Sequence, residues 1–139
     1  MSDILEFQGQ YRWLSNFWPV QVMLEGHIYP SIEHAYQAAK VHPSRRAAFR
    51  SGTAGDAKRR GKGEEPPDWV RRRVGVMRDL VSQKFAYSTQ LGNMLLATGD
   101  VKIIEGNAWG DQFWGVCRGK GINTLGQLIM EQRARLRSI

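Results

Sequence analysis

The chain has 139 residues, 42% hydrophobic and 24% charged, ordinary values for a globular domain with a packed core. No apolar run approaches the roughly 20 residues that a membrane-crossing helix needs, and the single cysteine, Cys117, excludes an internal disulfide. Lys and Arg outnumber Asp and Glu by 20 to 13, and the resulting net charge of +7 attracts phosphates, whether on nucleotides or on nucleic acid.

The first thirty residues read as extended. "ILEF" and "VQVMLEG" have strand character, and "EGH" can turn the second into "IYP". Ser31 is placed to cap a helix running to about Val41, which "HP" ends. Ser44 can cap a short helix ending near Gly52. Thr53 with Asp56 resembles a capping box opening a segment that ends near Gly61. Asp68 caps the longest predicted helix, to about Tyr87, with Val70, Val74, Met77, Val81 and Phe85 as its buried stripe. "STQLGNMLLATG" predicts a helix closed by Gly99, "VKIIEG" a short strand, and residues 107–121 a glycine-rich loop. A last helix follows Asn123 or Thr124, with Leu125, Leu128, Ile129 and Leu136 on one side. The expectation is one α+β domain over 1–139, mainly helical with a small β component.

Three stretches carry chemistry-bearing residues. On the helix "SIEHAYQAAK", Glu33 and Lys40 lie within about 20° of each other, two turns apart, with Gln37 beside them. They form a polar seam along the stripe of Ile32, Ala35, Tyr36 and Ala39, which can line a cleft or simply edge a solvated face. Glu33 sits in the first turn, where the helix dipole favours a negative charge; a catalytic role there would be that of a base or of a carboxylate facing a developing cation. His34 is expected to be structural. His27, His34 and His42 show no metal-ligand spacing, so no metal is assigned. In "NAWGDQFWGVCRGKGIN", Trp109 can stack on a base or cover a sugar, Asp111 supplies a second carboxylate, and "RGKGIN" leads into a helix N-terminus as an anion cradle. Trp114, beside Phe113, reads equally well as core. In "WLSNFWPV", Ser15 and Asn16, followed by Phe17, can seat a sugar hydroxyl or a base edge, or form a turn pinned by aromatic packing.

Together and in order, "LSNFWPV" at 14–20, "YPSIEHAYQAAK" at 29–40 and "AWGDQFWGVCRGKGINTLGQLIMEQR" at 108–133 resemble the NADAR family, also called YbiA-like proteins. "AKRRGKG", "VMRDLVSQKF" and "LLATGDVKIIEGN" look like the sections between, so the resemblance covers nearly the whole chain. It implies an N-glycosidase of mainly helical α+β fold that hydrolyses a bond between ribose C1 and nitrogen. The implied substrates are phosphoribosylamino-pyrimidine intermediates of riboflavin synthesis or ADP-ribose on guanine. It places the family's functional glutamate on Glu33, its lysine on Lys40 and its tryptophan-glycine-aspartate on Trp109, Gly110 and Asp111. The run after Asp111, "QFWGVCRGKG", departs from the shorter or more glycine-rich run of other members.

On this reading Glu33 and Asp111 are the catalytic carboxylates, no cofactor is required, and the expected location is cytoplasmic without membrane association. The expected substrate-binding set is Ser15, Asn16, Phe17, Gln37, Lys40, Lys58, Lys62, Asn107, Trp109, Gly110, Trp114, Arg118, Lys120 and Asn123. Within it the cations hold phosphate, and the partner is a phosphorylated ribosyl or ADP-ribosyl small molecule. The competing reading is a non-catalytic module that binds nucleic acid or an ADP-ribosyl mark through basic clusters and exposed aromatics.

Overall fold

The hairpin anticipated at "EGH" forms in the computed structural model, which describes residues 1–139. β1 (Val22–Leu24) pairs antiparallel with β2 (His27–Tyr29), Met23 opposite Ile28. Glu25 and Gly26 both have positive φ, 48° and 83°, as a two-residue turn matched to strand twist requires. β2 leads into α1 (Ile32–Lys40), a 3-10 helix at Pro43–Arg50, α2 (Ala54–Arg60) and α3 (Trp69–Lys84). The other helices are a 3-10 turn at Gly9–Leu14, α4 (Gln90–Ala97) and α5 (Thr124–Arg137); β3 (Gly106–Asn107) and β4 (Val116–Cys117) pair in parallel. The chain is thus α+β, mainly helical with a minor β component.

Within the chain, two compact units can be distinguished. One is continuous, Asn16–Lys84; the other joins Met1–Ser15 to Phe85–Ile139. In the continuous unit α1 packs against α2, α3, the 3-10 helix Pro43–Arg50 and β1. Surrounded in this way, all nine of its residues are buried, the polar ones included. In the discontinuous unit Ile4 forms a parallel bridge with Ile103: the Ile4 N–H donates to Lys102 O and the Ile104 N–H to Ile4 O, both at 2.8 Å. This single bridge replaces the strands read at "ILEF" and "VKIIEG". Leu125, Leu128, Ile129 and Leu136 are buried along α5 as expected.

Two helix expectations need correction. The buried stripe of α3 is Trp69, Met77, Leu80, Val81 and Lys84, while Val70 is 67% exposed. The indole of Trp69, packed beside Tyr36 with ring centroids 5.2 Å apart, sets the inward face and rotates Val70 away from it. The short helix after Val41 forms as a 3-10 helix, but it is capped by His42, whose Nδ1 accepts from the Ser44 N–H, and not by Ser44. No helix is long and apolar enough to cross a membrane.

Candidate active site

Local chemistry places Glu33. Ser31 is the N-cap of α1, its hydroxyl accepting from the His34 N–H at 3.2 Å. The His34 ring is held at both ends: Nε2–H donates to the Gly52 carbonyl at 3.0 Å, and Nδ1 shares a 2.6 Å hydrogen bond with the Ser31 hydroxyl. A histidine so engaged fixes the start of the helix. The Glu33 N–H donates to the Asn16 carbonyl at 3.0 Å, which ties the "SNF" turn to the first turn of α1. The Asn16 amide faces Met77 Sδ at 3.7 Å.

Glu33 is only 8% exposed, and Gln37 Nε2 donates to its Oε2 at 2.6 Å. Burial pushes its carboxyl above the ordinary glutamate range; the Gln37 hydrogen bond and the charges of Lys58, Lys40 and His34 pull the other way. The dipole argument from sequence expected an ionised group; desolvation opposes it, because the seam taken for a border is enclosed by neighbouring elements. Lys40 is 9% exposed, with Nζ 3.5 Å from Glu65 Oε1 and 5.4 Å from the Tyr36 ring centroid. Lys58 and Lys62 are exposed, Lys58 within electrostatic reach of Glu33. The continuous unit therefore gathers Asn16, Glu33, Gln37, Lys40 and Lys58 around α1.

In the discontinuous unit, Asp111 Oδ1 accepts from the backbone N–H groups of Phe113 (3.1 Å) and Trp114 (2.8 Å). Asn107 clasps the same loop, Nδ2 donating to Asp111 O at 2.9 Å and Oδ1 accepting from the Asp111 N–H at 3.0 Å. Asn123 adopts a left-handed conformation before α5 and uses its side chain on Ile103 O and the Glu105 N–H, not as a helix cap. Trp114 packs edge-on to Phe113 at 4.8 Å. Cys117 to Lys120 form a tight turn with reciprocal backbone hydrogen bonds and positive φ at Arg118 (52°) and Gly119 (78°). This turn and Trp109, 57% exposed, line a cleft of about 630 Å³ with Ala108, Gly110 and Gln112.

Of the sequence-predicted residues, Trp109, Gly110, Arg118 and Lys120 share this cleft, whereas Asn107, Asp111 and Asn123 shape the backbone around it. Ser15 ends the 3-10 helix Gly9–Leu14, and Phe17 follows in the turn, half-buried. Sequence reasoning missed Glu65, the partner of Lys40, and Gly61, which packs against Gln37. Neither carries a local signal, since both contacts arise from packing between segments distant in the chain. No group of three or more His, Cys, Asp or Glu side chains is placed to hold a metal ion.

Residues 6–137 match the NADAR domain family. The chain is 35% identical to N-glycosidase YbiA of Escherichia coli (strain K12), covering 91% of this chain and 82% of that protein. It is 37% identical over 132 residues to a riboflavin biosynthesis protein of Vibrio vulnificus (strain YJ016), covering 91% of this chain but only 36% of that longer relative. The NMR structure of the Escherichia coli protein YbiA superposes with a TM-score of 0.84 at 31% identity, covering 99% of this chain and 88% of that one.

Proposed function

The chain belongs to the NADAR domain family, and from that premise we propose that it is a hydrolase of N-glycosyl bonds in which Glu33 serves the cleavage of a ribosyl C1–N bond. The observation that carries the reading is Glu33 itself: a carboxylate buried on α1, held by Gln37 and faced by the charges of Lys58 and Lys40. A near-full-length relative named an N-glycosidase supports the reaction class.

Breaking the C1–N bond leaves positive charge on the sugar, while the departing nitrogen takes a proton and water supplies the hydroxyl at C1. An ionised carboxylate beside C1 stabilises that charge and orients the water. Burial strengthens such an interaction but pushes the carboxyl above the ordinary glutamate range; the Gln37 donor and nearby cations pull it back toward the ionised form that the step requires. Lys40, Lys58 and Lys62 are assigned to substrate phosphate. The turn at 15–17 is assigned to ribose hydroxyls. In the other unit the cleft is assigned to substrate binding, Trp109 offering a stacking face and Arg118 and Lys120 their charges. Asp111, with Oδ1 committed to the loop, would offer its remaining oxygen to a hydroxyl or to water.

Two substrate classes fit this chemistry: phosphoribosylamino-pyrimidine intermediates of riboflavin synthesis and ADP-ribosyl-guanine. The name of the Vibrio relative supports the first. The deciding experiment incubates wild type and Glu33→Gln with both substrates and reads the released base by mass. Loss of release by on the order of a hundredfold or more is expected from Glu33→Gln. Near wild-type release by that variant would sink the assignment.

A further inference from the structure

α2 ends at Gly61, and nothing in its backbone calls for glycine. Its φ of −82° and ψ of −5° lie in the right-handed region open to every L-residue. Space excludes a side chain instead. A Cβ built on Gly61 would overlap Gln37 Oε1 and stand 2.9 Å from Gln37 Cδ and 3.1 Å from Gln37 Cβ. All three nearest atoms belong to one residue. Gln37 has little freedom to yield, since it is buried and its Nε2 is engaged by Glu33 Oε2; its Oε1, without a hydrogen-bond partner, lies against Gly61. An ionised carboxylate can only accept, so it fixes which end of the amide faces Glu33 and leaves Oε1 against Gly61.

We propose that Gly61 is a positioning residue, its missing side chain leaving the space in which the Gln37 amide lies to hold the Glu33 carboxylate. The proposal rests on the reading of Glu33 as the reacting carboxylate. The same end of α2 carries Lys58, whose charge also acts on Glu33. The basic end of this helix therefore reaches Glu33 twice, by charge through Lys58 and by shape through Gly61 and Gln37. The sequence "KRRGK" is then more than a run of cations: its glycine sets a hydrogen bond inside the protein.

Gly61→Ala is the test, because alanine suits the backbone and differs only by the Cβ. Gln37→Ala removes the two closest clashing atoms and leaves the single 3.1 Å contact, so it should absorb most of the effect. The Glu33 carboxyl is titrated by 13C NMR in wild type, Gly61→Ala, Gln37→Ala and the double variant. The expected result is a higher midpoint in Gly61→Ala, close to that of Gln37→Ala, with no further rise in the double variant. Base release from ADP-ribosyl-guanosine or the riboflavin intermediate should fall in kcat by about tenfold to a hundredfold in Gly61→Ala, with KM little changed. A Gly61→Ala midpoint equal to wild type, or additive shifts in the double variant, would overturn the proposal. If Gly61→Ala does not fold, recovery of folding in the double variant supports it and failure to recover overturns it. The titration reads Glu33 whether or not it is catalytic, so a lost coupling and an active Glu33→Gln condemn different claims.

Discussion

Glu33 shows how one carboxylate can be read in two directions. Its place in the first helical turn argues for a charged group, and that much was visible in the sequence. Its burial was not, because no pattern within α1 announces that α2, α3 and the hairpin enclose the helix. The raised carboxyl carries a sign for stability. A folded-state pKa above the unfolded value makes a contribution fully present below the ordinary glutamate range and lost as pH rises through the raised value. Glu33→Gln should therefore melt at a higher temperature than wild type at pH 7–8 and at nearly the same temperature near pH 3–4, by thermal unfolding across that range. Activity has the opposite slope, since the ionised form is the working one: kcat should fall as pH drops through a midpoint above the ordinary glutamate range. Asp111 allows a second discrimination. If its work is to pin the loop through Oδ1, Asp111→Asn keeps an acceptor and much of the activity, while Asp111→Ala loses about 1–3 kcal/mol of stability in denaturant melts. If its charge serves the reaction, Asp111→Asn is as inactive as Asp111→Ala.

Among the elements, those bounded by caps were the most legible. Ser31 and Thr53 start α1 and α2 where the sequence placed them, and Thr53 with Asp56 forms the reciprocal pair in full. Thr53→Ala should cost about 0.5–2 kcal/mol in denaturant unfolding. It should also lower activity, since α2 carries both Lys58 and Gly61. Periodicity placed Met77, Val81 and Phe85 correctly but failed at Val70, where the larger ring of Trp69 takes the inward face. The β3–β4 pair could not be read at all. Two residues per strand leave no alternation to detect, and the pairing rests on a backbone hydrogen bond from the Val116 N–H to the Glu105 carbonyl at 2.9 Å.

On the scale of the molecule, charge is the property most unevenly spread. Residues 16–84 hold 13 Lys and Arg against 7 Asp and Glu, whereas the discontinuous unit holds 7 against 6. Part of that excess lies at 58–63 and 71–73, a placement visible in the sequence, which does not show which of these cations are already spent. Arg59 pairs with Asp56 and Arg72 with Asp68, while Arg60 donates to the carbonyls of Ala48 and Ser51. Any affinity for single-stranded DNA should therefore weaken steeply with salt and fall further on Lys62→Ala, with Lys102→Ala without effect, in fluorescence titrations.

The bridge between Ile4 and Ile103 also has a consequence in time. A ribosome delivers the chain from its N-terminus at about 5–20 residues per second. The continuous unit is complete once Lys84 has left the exit tunnel, so its helices can pack while the rest is still being translated. Ile4 enjoys no such luxury: it precedes the continuous unit in the chain, and its bridge cannot form until Ile103, about a hundred positions later, has been synthesised.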